Sequence, residues 1–112
     1  MIDAQQLKHF SGTCEYYQGH MNINYTDGVM YLCENGASWV ASDIAAICKY
    51  KLRNFEFINI DVKVNVKRGS CTIHYTDGNG LELYRQNYRW TDLKQDIKLF
   101  YVDNVLMLAS EY

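Results

Sequence analysis

The chain contains no proline, so element boundaries have to be read from hydrophobic period alone. No apolar run approaches the roughly 20 residues that span a bilayer. The opening Met1-Ile2-Asp3-Ala4-Gln5-Gln6 has neither a basic region nor an apolar stretch. These absences predict no signal peptide, no membrane contact and a soluble, cytoplasmic protein. Basic residues are not in excess: 11 Lys and Arg stand against 13 Asp and Glu. The resulting charge of −2 and pI near 5.8 give no general attraction to nucleic acid or anionic lipid. Cys14, Cys33, Cys48 and Cys71 form no CxxC pair. In an intracellular chain they read as free, mostly buried thiols.

What is present points to a folded domain. At 112 residues, 48% of them apolar, the chain reads as one domain spanning 1–112, with disorder excluded. A chain of this size buries roughly 65% of its unfolded surface. Ten tyrosines are many for this length. Their amphipathic rings suit both half-buried sheet positions and interfaces.

The first half, 1–53, reads as helical. Asp3 with Gln6 suggests a helix start, Leu7 and Phe10 continue an apolar side, and Gly12 ends it. Residues 13–25 carry no clear period; Glu15-Tyr16-Tyr17 suits a helical turn, and Met21–Tyr25 a short strand or packed loop. Thr26 offers a second cap before Val29, Leu32 and Cys33, and Asn35-Gly36 a stop. Ser38 is the expected cap of the clearest helix, whose Val40, Ile44, Ile47 and Cys48 form one stripe.

After Lys51 the period changes to 2. The run from Asn54 to Lys67 alternates apolar and polar residues, as a half-buried strand requires. Antiparallel strands are expected at about 55–66, 71–76, 81–89, 97–102 and 105–109, joined by connections short enough for a meander. The turn Lys67–Ser70 would set Val66 opposite Cys71, Val64 opposite Ile73 and Val62 opposite Tyr75. The next would set Tyr75 opposite Leu81 and Ile73 opposite Leu83. An outward row of Lys63, His74 and Glu82 follows. Phe55 and Phe57 are out of phase with Ile60, Val62 and Val64. Either a bulge near 57–59 brings both sets inward or the first residues precede the sheet.

Catalytic and metal chemistry find little support. His9, Cys14 and His20 lack the ligand pairs of a structural zinc site, and Cys71 and His74 would point to opposite faces of a strand. Cys14 or Cys71 with a histidine could supply a nucleophile and base for a small enzyme or ligand binder, but nothing builds an oxyanion site. Tyr-Thr-Asp-Gly occurs at 25–28 and at 75–78 with unlike flanks, which reads as coincidence, since these residues suit helix starts and turns alike. Asp77-Gly78-Asn79-Gly80 has too few acidic ligands for calcium. Lys63, Lys67, Arg68, Arg85 and Arg89 beside Tyr84, Tyr88 and Trp90 could serve a nucleic-acid accessory protein, but Asp61, Glu82, Asp92 and Asp96 offset them.

The last hairpin is more specific. Asp103-Asn104 suits a two-residue turn that pairs Val102 with Val105, Tyr101 with Leu106, Phe100 with Met107 and Leu99 with Leu108. Both of its faces are then apolar, while helices cover only one easily. Tyr84, Tyr88 and Trp90, opposite in parity to Leu81 and Leu83, would extend the second face. An exposed patch of this kind marks a protein interface, unless 13–25 or the helices cover it.

The order Leu7-Lys8-His9-Phe10-Ser11-Gly12-Thr13, Tyr16-Tyr17, Tyr25-Thr26-Asp27-Gly28-Val29, Trp39 before Ile44-Ala45, and Val105-Leu106-Met107-Leu108-Ala109-Ser110-Glu111-Tyr112 resembles a small, uncharacterised family of domains of unknown function from bacteria and mobile elements. Family members tend to have proline where Ala109 stands. The resemblance implies no catalytic residues. It brings an analogy with small phage and plasmid proteins that bind host machinery, some of them inhibitors of CRISPR effectors.

The expectation is an α+β domain, two to three N-terminal helices on a four- to five-stranded antiparallel meander. The expected function is a non-enzymatic protein-binding module without cofactor or metal, with the resemblance pointing to an inhibitor of host defence acting by steric occlusion. Tyr84, Tyr88, Trp90, Phe100 and Met107 are the expected contacts, to a host protein or to a second copy in a homodimer.

Overall fold

A computed structural model describes residues 2, 4–7, 10 and 15–112. Asp3, Gly12, His9 and Cys14, invoked above as cap, stop and ligands, lie outside the described residues. The helical elements are α1 (Ala4–Leu7), α2 (Asp27–Leu32) and α3 (Ser38–Tyr50). Among the described residues only α3, with 13 residues, is long. Its buried stripe contains the expected Val40, Ile44 and Cys48, and adds Ala41 and Ala45, small enough to let the backbone approach the sheet. Between α2 and α3 the chain makes a wide turn, Cys33–Ala37, in which Gly36 takes φ 94°; the stop expected at Asn35-Gly36 is there. Ser38 is not the cap. Ala37 occupies that position without a side-chain bond.

The strands are β1 (Tyr17–Gln18), β2 (Asn24–Tyr25), β3 (Phe57–Asn65), β4 (Ser70–Thr76), β5 (Glu82–Tyr88), β6 (Ile97–Val102) and β7 (Val105–Leu108). Among the described residues they form one seven-stranded sheet in the order β1-β2-β7-β6-β3-β4-β5. This corrects the expected meander in two ways. β6 pairs with β3 and not with β5, which places β3 inside the sheet between β6 and β4, with Ile58, Ile60 and Val62 fully buried. β2 joins β7 in parallel, so the sheet is mixed. The two-residue strands β1 and β2 are too short for any period to show.

Two registers differ from expectation. In the β3–β4 pair Val64 opposes Cys71, Val62 opposes Ile73 and Ile60 opposes Tyr75. The offset from the expected pairing is two residues, because the loop runs Val66–Gly69, closed by Gly69 N–H to the Asn65 carbonyl (2.8 Å) with Gly69 at φ 68°. An even offset keeps each side chain on its face. The β4–β5 pair is different. Tyr75 opposes Tyr84 and Ile73 opposes Gln86, and a bulge at Tyr75/Thr76 shifts the ladder. The Asp77 carboxylate holds the loop open by accepting from the N–H of Asn79 (2.8 Å) and Leu81 (3.2 Å). The offset is three, so the strand is turned over: Tyr84, Gln86 and Tyr88 face the helices. The bulge considered at 57–59 is not there; β3 pairs with β6 without interruption from Phe57 to Val62.

The core lies between α2, α3 and one sheet face. It gathers Val29, Leu32, Val40 and Ile44 with Ile60, Ile73, Leu99 and Leu106. Tyr25 and Tyr75, from the two Tyr-Thr-Asp-Gly segments, are both buried in it. As expected from their flanks, the first segment leads into α2 and the second into a turn. The β6–β7 register matches expectation at all four pairs, with Asp103 and Asn104 at φ 52° and 62°.

Candidate interaction surface

The sheet face turned away from the helices has two unlike halves. On β3, β4 and β5 the directly opposed row reads Asp61, His74, Arg85. Asp61 also faces Lys98 (3.6 Å), Lys63 meets Asp96 (3.9 Å), and the Glu82 carboxylate takes both Arg85 Nε (2.8 Å) and His74 Nδ1 (3.2 Å). The Arg85 and His74 bonds hold the Glu82 carboxyl below its ordinary pKa. His74 therefore sits on the solvent side beside Glu82, as expected, with Asp61 in the place foreseen for Lys63.

On β3, β6 and β7 the same face carries Phe57, Phe100, Val102, Val105 and Met107, joined by the pairs Phe57–Val102, Phe100–Met107 and Val102–Val105. Residues 109–112 fold back over them. Tyr112 sets its ring edge against Phe57 (centroids 5.8 Å, 71°) and Phe100 (5.2 Å, 79°), and Phe57 leans on Phe100 (5.1 Å). Tyr112 itself remains 73% exposed. Asn59 marks the border between the halves; it is buried, and its amide donates to Asp61 (2.8 Å) and Thr76 (3.3 Å).

The aromatic cluster continues around the sheet end into an open groove of about 950 Å³, which Phe57 and Tyr112 share with Lys49, Tyr50, Arg53 and Phe55. Tyr50 and Phe55 are 66% and 40% exposed there. Asn104 fixes one wall. Its Oδ1 accepts from Lys49 Nζ (3.2 Å) and Tyr101 OH (3.1 Å), and its amide donates to the Asn22 carbonyl (2.8 Å). The β6–β7 turn is thus tied to α3 and to the segment before β2.

Glu111 holds the fold-back. One carboxylate accepts from Thr26 Oγ1 (2.6 Å), the Gly28 N–H (3.0 Å) and the Leu108 N–H (3.0 Å). Thr26 does stand at the cap position of α2, but its hydroxyl is spent on Glu111 and makes no cap bond. Glu111 supplies the acceptor for the helix start in its place. A Cβ at position 28 would lie 2.5 Å from Glu111 Oε1 and from Leu108, so any larger residue there displaces those side chains.

Of the five expected contact residues, Phe100 and Met107 lie together on the outer apolar half. Tyr84 and Tyr88 lie on the opposite face, correcting the surface drawn for them. Tyr84 packs edge-on to Tyr75 (6.0 Å) and Tyr88 to Trp39 (5.2 Å), while Tyr88 OH donates to Asp43 (2.6 Å). Burial, with Asp43 beside it, pushes the Tyr88 phenol well above its ordinary pKa. Trp90 is 76% exposed, but the bond from Thr91 N–H to Gly69 (2.6 Å) sets it by the β3–β4 turn. That is the far end of the nine-residue β3, roughly 26 Å from Phe57. The residues that sequence reasoning missed are Phe57, Tyr112, Tyr50 and Phe55. The out-of-phase Phe55 and Phe57 were the available signal; they point away from the core because they belong to this surface.

Cys71 lies on the helix face and His74 on the other. Burial pushes the Cys48 thiol up to about 12 and raises those of Cys33 and Cys71, the wrong direction for a thiolate nucleophile. No group of three or more metal-ligating side chains is found among the described residues, and none of their helices is long and apolar enough to cross a membrane.

Residues 2–112 match the family described as "Family of unknown function (DUF6876)", and the chain belongs to it. Comparison with curated proteins and with solved structures finds no match.

Proposed function

We propose that this DUF6876 chain is a non-enzymatic protein-binding module whose contact surface is the aromatic half of the outer sheet face with the groove beside it. The observation that carries this reading is the cluster of Phe57, Phe100 and Tyr112 running without a break into the groove rimmed by Tyr50 and Phe55. Aromatic and Met side chains are those that interfaces concentrate, and they dominate binding energy when a partner desolvates them. The partner is a protein, because the neighbouring charged half of this face has its charges paired in place and offers no basic stripe to a nucleic acid or an anionic membrane. A module of this kind acts by covering part of its partner. Occlusion of a host defence protein is the specific form that the resemblance suggests.

The test is affinity capture from host extract with the full chain and single variants, followed by mass spectrometry. Phe100→Ala and Phe57→Ala should deplete the specific partner, while Trp90→Ala and Tyr88→Phe should retain it. Loss with Trp90→Ala and retention with Phe100→Ala would put the site elsewhere. Light scattering separates a second copy from a foreign partner.

A further inference from the structure

We propose that residues 109–112 form a strap, latched by Glu111, that holds Tyr112 over Phe57 and Phe100 and lifts to admit the partner. This deepens the protein-binding reading and rests on it for what displaces the strap.

Two independent observations meet here. First, the fold-back is held mainly through one side chain. Glu111 takes Thr26 Oγ1, Gly28 N–H and Leu108 N–H on its two oxygens, whereas the backbone adds within the turn a bond from Tyr112 N–H to Ala109 (3.2 Å). Thr26 is buried, and its other acceptor, the Leu106 carbonyl, is 3.5 Å away. A segment closed by one carboxylate opens as a unit when that carboxylate is lost. Second, what the segment covers is apolar and what covers it is solvent. The Tyr112 ring contacts Phe57 and Phe100 edge-on yet stays largely exposed, so little is packed above it to resist lifting. A partner offering an apolar side chain to Phe57 and Phe100 would replace the Tyr112 contacts and add area that the strap leaves uncovered.

The test uses the full chain and needs no partner. Amide exchange is followed at Gly28 and Leu108, with Ile60 and Val62 reporting the core, alongside binding of the apolar dye anilinonaphthalene sulfonate. Glu111→Ala should speed exchange at Gly28 and Leu108 roughly tenfold or more, as loss of bonds to a charged group implies, and should raise dye binding severalfold. Tyr112→Ala should raise dye binding comparably while leaving Gly28 and Leu108 protected. Adding Phe100→Ala should remove the gain. If Glu111→Ala also deprotects Ile60, Glu111→Gln, which keeps one acceptor oxygen, and Tyr112→Ala carry the test. Unchanged dye binding in Tyr112→Ala, or unchanged Gly28 exchange in the stable Glu111 variant, overturns the strap. Either result leaves the partner-capture experiment to stand or fall separately.

Discussion

The two halves of the outer sheet face solve the problem of solvent differently. Around His74, charges of opposite sign sit within reach of one another, and Asp61, Glu82, Arg85 and Lys98 each have a partner. Around Phe100, five apolar side chains lie side by side with Tyr112 as cover. A sheet face that needs only solubility looks like the first half along its whole length. The second half departs from that pattern on strands whose inner face is already fully occupied by Leu99, Tyr101, Leu106 and Leu108, so the core does not require those residues to be apolar.

That contrast can be broken by substitution. Ile60→Ala, on the covered side of the central strand, should lower stability by about 2–5 kcal/mol in chemical denaturation. Phe57→Ala, on the outer apolar half, should cost clearly less and act mainly on partner capture. Equal costs would make the outer half a second core. The covered side also carries the alkaline response. Burial pushes the Tyr25 phenol up to about 12, so the folded state holds that proton more tightly than the unfolded chain. Its contribution is complete below pH 10 and is lost as pH rises toward 12. Tyr25→Phe should flatten that decline in denaturation midpoints measured between pH 8 and 12.

Smaller effects sharpen the boundary. Tyr88→Phe removes the bond to Asp43 and should cost about 1–2 kcal/mol without altering capture; altered capture would return Tyr88 to the contact surface. Glu82→Ala, in the exposed charged half, should leave the denaturation midpoint within error, as surface ion pairs usually do. A clear loss would show that the charged row supports the sheet.

How much was legible depended on turn geometry. The β6–β7 turn has two residues, both at positive φ, and a two-residue turn leaves one register open, so the apolar character of Phe100 and Met107 on the outer face could be read directly. The β3–β4 loop of four residues admitted an error of two, which preserved every face. The β4–β5 loop, held open by Asp77 and followed by a bulge, admitted an error of three, which turned Tyr84 and Tyr88 from the expected surface to the helices. Residues 17–25 were opaque because strands of two residues are defined by their neighbours and not by their own pattern.

By itself, the sequence determined what local period and turn chemistry encode: a helix on the Val40–Cys48 stripe, the alternation of β3, the β6–β7 hairpin and the double apolar character of that hairpin. Only the tertiary structure decided which strands became neighbours, that β6 crossed back to β3, and that Glu111 reached Thr26 and Gly28 from 85 and 83 positions away. Those contacts depend on closing long loops around a common core, and no window of a few residues contains both partners. The same reason places Phe57 and Tyr112, far apart in the chain, in the one aromatic cluster on which the proposed function rests.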